Sequence, residues 1–332
     1  MSTMVKRGIL IGLLLLIVSG ITIYFTIDLD SLATLGTFNI TSLLLAILAL
    51  ALGMYFDGLR LQRLVRMGGY SLSLIAILRV IFGNYFMAML TPGASGGAVA
   101  QALILRSYHV PIGKAAPIVL VRTVFSILFL IVMLPIILVT EPIEVPYITN
   151  TQLLGISIFV VISTFMGMYL LQTRLMKRLV TWICKMMKKG NPKGWLIKLD
   201  EFNGGLSLLY ANPMQSFIVF IESALSLLFL YAIAPALMYA FTSDISIVEI
   251  LNRMILLNLI LYFAPTPGGT GVAEGLFVYL FASFVPIGTV GLVAVAWRIV
   301  AEYIPFFIGM YSVFTLYGQH IASSVSTSSE EV

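Results

Sequence analysis

The sequence predicts an all-α polytopic membrane protein built as an inverted-topology repeat. Of its 332 residues, 60% are apolar and 10% are charged, whereas a soluble domain carries about 25% charged residues. Long apolar runs recur along the whole chain, and a Thr-Pro-Gly motif occurs twice within it. The composition therefore excludes a water-soluble fold, and the duplicated motif indicates two related halves.

The apolar residues form eight long segments, so about eight long membrane helices are expected. The segments are Gly8–Ile27, Phe38–Asp57, Ser71–Leu90, Ala115–Val139, Gln152–Leu171, Gln215–Phe241, Ser246–Ala264 and Ile287–Leu316. Two shorter segments, Gly96–Tyr108 and Gly271–Phe284, each follow a Thr-Pro-Gly break. Because proline breaks a helix, we expect these two to be re-entrant segments or half-helices.

The basic residues predict how the chain is oriented. Fifteen of the 19 Lys and Arg lie in Met1–Arg7, Leu59–Tyr70, Arg106–Lys114 and Thr173–Asn212, whereas the remaining connections hold only acidic charges. Cytoplasmic loops are enriched in Lys and Arg. We therefore expect a multi-pass protein of the cell (cytoplasmic) membrane with both termini in the cytoplasm.

A single transmembrane domain is expected over residues 1–320. Its repeat halves are predicted at about 57–140 and 213–320, joined by a basic amphipathic cytoplasmic linker at 173–212. A helix in this linker would either lie on the anionic leaflet or pack on the bundle. The Ser-rich, acidic cytoplasmic tail at 321–332 is expected to be disordered.

The two Thr-Pro-Gly motifs belong to a longer pattern that occurs twice. Residues 91–97 read T-P-G-A-S-G-G and residues 266–272 read T-P-G-G-T-G-V, and each is followed at the same spacing by V-P-I-G. An arginine and an asparagine precede each motif, and another arginine follows it. By the predicted orientation, the segments before the two motifs cross the membrane in opposite directions, which makes the repeat an inverted one.

Each motif is predicted to begin a helix at or near membrane depth. Glycine permits positive φ after the proline, and Ser95 or Thr270 can cap the helix that follows. The N-terminal N–H groups and the helix dipole favour an anion. Kinks that merely pack are the alternative, but two breaks in inverted halves favour a functional site. Two glycines in each half also stand four residues apart, a spacing typical of close helix packing.

Four arginines and three glutamates inside apolar segments are expected to face one another or a wet cavity, because an unpaired charge at a helix centre costs at least about 2.5 kcal/mol. Arg298 and Glu302 are four residues apart and can pair, whereas Glu274 can cap a half-helix or, like Glu302, carry a proton. For the other arginines no partner is evident from the sequence, and guanidinium groups suit phosphate. The seven residues are Arg79, Arg122, Arg253, Arg298, Glu222, Glu274 and Glu302.

The predicted substrate site combines the two motifs with the flanking polar residues. An anionic lipid headgroup would lie in a groove between the half-helix N-termini and the arginines while its tails stay in the bilayer. The site residues are Arg79, Asn84, Thr91, Gly93, Ser95, Gly96, Gly97, Arg122, Arg253, Asn258, Thr266, Gly268, Gly269, Thr270, Gly271, Glu274, Arg298 and Glu302.

Other chemistries find no support in the sequence. One cysteine and two separated histidines argue against a metal centre or a nucleophile, and neither Gly-rich motif ends as a P-loop does. We expect no enzymatic activity, no cofactor and no nucleic-acid partner. The expected partners are membrane lipids, and a homo-oligomer is left open.

The motif pair resembles a known family. T-P-G-A-S-G-G together with A-P-T-P-G-G-T-G-V-A-E-G, followed by Arg298 and a Pro-containing last helix, is similar to the lysylphosphatidylglycerol synthase transmembrane-region family of flippase-like membrane proteins. The resemblance extends from about Asp57 to Leu316. It implies movement of lipids between leaflets: aminoacylated phospholipids in members fused to a synthase domain, and polyprenyl- or dolichol-phosphate lipids in stand-alone members.

The chain ends soon after Leu316, so we expect a stand-alone member that moves an anionic, phospho- or polyprenyl-phosphate-linked lipid without synthesising lysylphosphatidylglycerol. Two alternatives stay open. A secondary transporter of a small soluble anion would use the same repeat but enclose its site from lipid. A membrane partner of an enzyme acting on lipid-linked sugars is less favoured, because no loop carries a paired-carboxylate or metal constellation.

Overall fold

The computed structural model describes residues 39–140, 149–171, 212–242 and 244–316, together with isolated positions between 178 and 207. Three predicted features lie outside these residues: the first membrane segment, most of the basic linker at 173–212 and the tail at 321–332. Within the described residues the protein is helical and contains no β-strand, which confirms the predicted all-α class.

Ten α-helices are numbered in chain order over the described residues. They are α1 (Ile40–Met67), α2 (Leu74–Met89), α3 (Ser95–Ser107), α4 (Ile112–Thr140), α5 (Asn150–Leu171), α6 (Pro213–Tyr231), α7 (Ile233–Met238), α8 (Ile247–Leu261), α9 (Val272–Phe281) and α10 (Val290–Arg298). A 3-10 turn, Ala282–Phe284, follows α9. A π-helical turn, Ile299–Tyr303, continues α10 into further helix at 304–316.

Four helical stretches in the described residues are long and apolar enough to cross a membrane. They are Ile40–Met67, Ile112–Thr140, Pro213–Met238 and Val290–Leu316. The predicted long segments Ser71–Leu90 and Ser246–Ala264 instead form the shorter helices α2 and α8, of 16 and 15 residues, because each runs into a Thr-Pro-Gly turn. The protein is a multi-pass helical membrane protein, with fewer long helices in this part of the chain than predicted.

Helix α1 extends past its predicted end at Asp57. The sequence predicts a loop from Leu59 onward, but the helix continues to Met67. It ends where Gly69 adopts a φ of 90° and the Tyr70 N–H bonds back to the carbonyl of Val65, a common glycine-terminated helix end. Several predicted loop cations therefore lie on a helix.

The described residues form two compact units. Those within Met1–Gly58, Leu72–His109 and Ser226–Val332 make up the first, and those within Leu59–Ser71 and Val110–Leu225 make up the second. This division does not follow the predicted repeat halves, because α3 and α4 belong to different units. The single domain at 1–320 and its halves stay predictions.

In the first unit the Thr-Pro-Gly segments connect helices into two hairpins. Helices α2 and α3 pack against each other to form the first hairpin, and α8 and α9 form the second. The turns at 90–94 and 262–271 are their tips. Each hairpin begins with a serine cap: Ser73 Oγ accepts from the Ala76 N–H at 3.3 Å, and Ser246 Oγ accepts from the Glu249 N–H at 3.4 Å.

Glycines let helices of the first unit approach closely. A Cβ on Gly309, in the last described helix, would overlap the Phe82 carbonyl group of α2, and a Cβ on Gly83 would overlap the Ile104 side chain of α3. Close backbone approach through small residues is a common way for membrane helices to pack. The first hairpin is thus held on one face by the last helix.

The second unit contains an ion pair, with Glu222 buried and Arg63 half-buried, that joins α1 to α6. Arg63 donates from Nε and Nη2 to the Glu222 carboxylate, at 2.7 Å from Nη2 to Oε1, and from Nη1 to Gln215 Oε1 at 2.9 Å. Nearby in the same unit, Arg60 Nη1 donates to Ser126 Oγ at 2.8 Å. These contacts supply Glu222, predicted to need a partner inside the membrane, with a forked arginine.

Candidate functional site

The two Thr-Pro-Gly tips share a pair of consecutive left-handed residues. Gly93 and Gly268 both have a φ of 59°, and the next residues, Ala94 and Gly269, have φ values of 53° and 66°. Two consecutive left-handed residues are unusual outside glycine-rich turns. The motif repetition seen in the sequence therefore corresponds to a repeated local structure.

Ser95 and Thr270 close these turns and do not cap the following helices. Ser95 Oγ donates to the Pro92 carbonyl at 3.1 Å, and Thr270 Oγ1 donates to the Pro267 carbonyl at 2.9 Å. The predicted capping roles of the two hydroxyls are wrong, because each side chain folds back onto the turn that precedes its helix. The residues at the cap positions are Ala94 and Gly271.

The two tips touch each other. Pro92 and Pro267 form an isolated antiparallel β-bridge, and a Cβ on Gly268 would lie 3.0 Å from Met89 Cγ at the end of α2. Because proline has no N–H, the hydrogen bonds of this bridge come from the backbone N–H and C=O groups of the residues next to each proline. The structure thus brings the two predicted motifs together at one place.

The two tips differ in exposure. Residues 92–95 of the first tip are exposed, whereas residues 266–269 of the second are half-buried and Thr270 is buried. The threonines differ as well: Thr91 Oγ1 donates to the Met87 carbonyl at 2.9 Å and accepts from the Gly96 N–H at 2.8 Å. The matching Thr266 Oγ1 is buried without a hydrogen-bond partner among the described residues. The first tip is the accessible one.

An ion cluster holds the second tip. Glu274 accepts from the Gly271 N–H at 2.7 Å and from Arg298 Nε at 2.9 Å. Arg298 also donates from Nη2 to the Gly268 carbonyl at 3.0 Å and pairs through Nη1 with Glu302. The contacts confirm both the predicted Arg298–Glu302 pair and the predicted capping position of Glu274.

The cluster is deeply buried at its centre. Arg298 is 1% exposed and Glu274 is 3% exposed, whereas a quarter of the Glu302 side chain is exposed. Three separate partners therefore occupy one guanidinium, and Arg298 links α9, the tip and the π-helical turn. A π-helical turn within an α-helix frequently marks a functional position.

The first tip has no equivalent of this cluster. Val99 stands where Glu274 stands in the second hairpin, and its side chain is exposed. The contact at this position is instead between Asn84 and Gln101, whose Nε2 donates to Asn84 Oδ1 at 2.7 Å above Gly97. The matching Asn258 donates to the Met254 carbonyl of its own helix at 2.8 Å. The asparagines thus have different contacts.

Of the glycines predicted to pack closely, Gly97 is crowded, whereas Gly93 and Gly275 are not. A Cβ on Gly97 would overlap Asn84 Oδ1 and lie 3.0 Å from the Ala88 Cβ, whereas a Cβ on Gly93 or on Gly275 would meet nothing within 4 Å. The spacing therefore predicts close packing correctly at Gly97 and not at the other two positions.

The arginines that precede the motifs lie away from the tips. Arg79 on α2 donates from Nη1 to the Tyr108 hydroxyl at 2.9 Å, just past the end of α3. Arg253 on α8 donates from Nη1 to the Leu280 carbonyl of α9 at 2.7 Å and lies over the Phe284 ring at 4.5 Å. In each hairpin, the arginine of the first helix thus reaches the C-terminal end of the second helix.

Arg122 lies in the second unit, on α4, where it is buried and its carbonyl accepts from Ser126 Oγ at 3.2 Å. The structure therefore assembles the two tips with Arg298, Glu274 and Glu302, and it does not place Arg79 and Arg253 at that point.

Sequence reasoning missed Tyr108 and Gln101; the only sequence signal was that Gln101 stands one helical turn after Gly97. Substrate binding by any of the predicted residues stays a prediction.

Helix α3 is bracketed by two strained residues. Ala94 before it and His109 after it are the non-glycine residues with positive φ in the described part of the chain, at 53° and 63°. Side chains rarely adopt this conformation. At the position matching Ala94, the second hairpin has Gly269, for which the conformation costs little.

Comparison with known proteins gives the family. A family model described as the lysylphosphatidylglycerol synthase TM region matches residues 8–309, which include both hairpins. A UPF0104 membrane protein of Archaeoglobus fulgidus is 22% identical to this chain over 267 residues, covering 77% of this chain and 80% of the relative. The chain therefore belongs to the lysylphosphatidylglycerol synthase transmembrane-region family.

Proposed function

We propose that this protein moves an anionic lipid, phospho- or polyprenyl-phosphate-linked, between the two leaflets of the cell membrane. The observation that carries the proposal is the contact between the two hairpin tips at Pro92 and Pro267. Irregular backbone at membrane depth is tolerated where protein buries it or where it lines a polar cavity. Transporters with repeated halves commonly bind their substrates where broken helices of the two halves meet, so the contact between the two tips is a suitable place for a headgroup to pass.

An inverted arrangement of the hairpins is part of this proposal. The chain enters and leaves the first hairpin through the basic segments 59–70 and 106–114, and it enters the second after Asp244, in a connection without Lys or Arg. The positive-inside rule therefore favours a cytoplasmic base for the first hairpin and an external base for the second. Because the tips touch, each hairpin would then enter the membrane from its own side and turn back within it.

The two hairpins have different parts in the proposed mechanism. The ion cluster of Glu274, Arg298 and Glu302 holds the second tip to α10, so that tip acts as the fixed side. The first tip is exposed and has no carboxylate, so its exposed turn borders the headgroup path. In this view Arg298 positions the second tip, and the arginines 79 and 253 contact the headgroup elsewhere.

Membrane reconstitution tests the proposal. The purified protein is placed in liposomes with a trace of a fluorescent anionic phospholipid or a fluorescent polyprenyl phosphate, and the fraction that crosses the bilayer is measured with a membrane-impermeant quencher. We expect faster crossing than in protein-free liposomes, and no acceleration for a zwitterionic phospholipid. Uptake of soluble inorganic phosphate without lipid movement would instead identify a transporter of a soluble anion.

A further inference from the structure

We infer that the π-helical turn at Ile299–Tyr303 is a hinge, at which the last described helix changes register and lets the two hairpins move relative to each other. The inference rests on the proposed function, because it names the part of the chain that would let the contact between the tips open. The helix before the turn holds the second hairpin, and the helix after the turn holds the first.

Helix α10, before the turn, is fixed to the second hairpin. Its last residue, Arg298, donates from Nη2 to the Gly268 carbonyl at 3.0 Å and from Nε to Glu274 Oε1 at 2.9 Å. Trp297 stacks on Phe277 of α9, with ring centroids 5.0 Å apart, and both rings are buried. A rotation of α10 would therefore carry the second tip with it.

The helix after the turn, at 304–316, is fixed to the first hairpin. A Cβ on Gly309 would overlap the Phe82 carbonyl group of α2. The Phe306 ring contacts the Phe86 ring of α2, with centroids 5.3 Å apart. Because the two backbones approach so closely, this part of the last helix and α2 move together.

Pro305 explains why the hydrogen bonds change between these two parts of the helix. Proline has no N–H, and its ring clashes with the carbonyl four residues earlier, which here belongs to Ala301. The preceding N–H, that of Ile304, bonds to the Ile299 carbonyl five residues back. Prolines and π-helical turns are the usual places where a long helix bends. The helix is therefore least stiff between its contacts with the two hairpins.

A change of register at this turn is large enough to separate the tips. One residue of an α-helix corresponds to a rotation of about 100° and a rise of about 1.5 Å, and a π-helical turn holds more residues than an α-helical one. Relaxing the turn to a regular α-helix would therefore rotate the segment after it by roughly 100° relative to α10. Either Gly309 then leaves Phe82, or the first hairpin moves with the helix. In both cases the last helix no longer fixes the first hairpin relative to the second tip.

A static kink is the competing explanation, since a proline can bend a helix without any motion. Pro305→Ala supplies the missing N–H and favours a regular helix, so it should stiffen a hinge. Ala301→Gly, inside the turn, should loosen it because glycine disfavours helix. Pro135→Ala is the matched control: Pro135 also lies inside a membrane helix, α4, but α4 is α-helical over its whole length.

The experiment measures the distance between spin labels on the two hairpins, in liposomes that contain an anionic phospholipid. The labels are attached through Val99→Cys on α3 and Tyr279→Cys on α9, both exposed positions, in a background without Cys184. We expect a broad or two-peaked distance distribution in the protein with the native turn. Pro305→Ala should reduce its width to roughly half by restoring the regular helix, and Ala301→Gly should widen it. The proline control should leave the width unchanged, and thermal unfolding checks that each variant is folded.

Two results would overturn the inference. One is a single narrow distribution in the protein with the native turn, which would identify a static kink. The other is an unchanged width in folded Pro305→Ala and Ala301→Gly. Because the label distances do not depend on translocation, protein that shows the hinge but moves no lipid would contradict the proposed function and leave the hinge standing. Protein that moves lipid with a rigid turn would do the reverse.

Discussion

Pro92 of the first hairpin and Pro267 of the second lie opposite each other in an antiparallel bridge that connects the two Thr-Pro-Gly tips. Neither residue has an N–H to donate, so the hydrogen bonds of this bridge involve only the backbone groups of the neighbouring residues. In the proposed mechanism the two tips separate during transport, and this bridge is the contact that would have to break.

Cross-linking the tips tests this relationship. Residues paired in an antiparallel bridge have Cα atoms about 4.5–5.5 Å apart, within the range that a disulfide spans. In a background without Cys184, the double variant Pro92→Cys/Pro267→Cys should form a disulfide with mild oxidant, detected by mass spectrometry as loss of free thiols. We expect oxidation to stop lipid movement and reduction to restore it. The single cysteine variants control for the loss of each proline, and undiminished movement in the fully cross-linked protein would show that the tips need not part.

Labelling the hairpin bases tests the inverted arrangement. Ser71, before the first hairpin, and Asp244, before the second, are both exposed. A cysteine at Asp244 should react with an impermeant thiol reagent added outside intact cells, whereas a cysteine at Ser71 should react only after the membrane is opened. Reaction of both cysteines from the same side would exclude hairpins of opposite orientation.

Removing the central arginine of the ion cluster should strongly destabilise the protein. Arg298→Gln leaves two carboxylates without their cation, and breaking a buried pair in this way costs about 3–5 kcal/mol. Glu274→Gln should cost less, about 1–3 kcal/mol, because the amide oxygen can still accept from the Gly271 N–H. Thermal unfolding in detergent measures both, and the double variant should be less destabilised than the sum of the two single ones. Strict additivity would mean that the two residues do not interact.

The cluster also distinguishes two candidates for a proton carrier. Glu274 is held by a backbone N–H and by Arg298, whereas Glu302 contacts Arg298 and is the more accessible carboxylate. If an imposed pH gradient accelerates lipid movement in liposomes, Glu302→Gln should abolish that acceleration and Glu274→Gln should retain it at a reduced rate. The opposite pattern would assign the proton to Glu274, the residue without a carboxylate counterpart in the first hairpin.

Packing around the last described helix gives a matched pair of glycine variants. A Cβ on Gly309 would overlap the Phe82 carbonyl group, whereas a Cβ on Gly275 would meet nothing within 4 Å. Overpacking of this kind costs about 1–3 kcal/mol, so Gly309→Ala should lower the unfolding temperature. Gly275→Ala should keep or raise it, because alanine favours the helix over glycine. Equal unfolding temperatures of the two variants would argue against the close contact.

Sequence reasoning succeeded for several interactions that are local in the chain, although the capping roles of Ser95 and Thr270 were wrong. The helix breaks at Thr-Pro-Gly, the Arg298–Glu302 pair and the cap position of Glu274 all follow from spacings of a few residues. The sequence did not predict contacts between distant segments. One example is the pair of Arg63 and Glu222, which are 159 residues apart. Such contacts depend on which helices become neighbours, and an apolar run carries no mark of its neighbour because lipid and protein interiors favour the same side chains.

The two left-handed residues that bracket α3 lower the free-energy cost of moving that helix out of its present conformation. Holding Ala94 and His109 at positive φ costs on the order of 1–3 kcal/mol each, and the surrounding contacts must supply this energy. A rearrangement that lets Ala94 or His109 return to negative φ releases this strain energy. A ligand that favours the rearranged conformation therefore needs a smaller difference in affinity between the two conformations to shift the equilibrium. In the second hairpin the matching tip position is glycine, so the backbone is not strained there. If one hairpin moves during the proposed transport, this backbone strain therefore favours movement of the first.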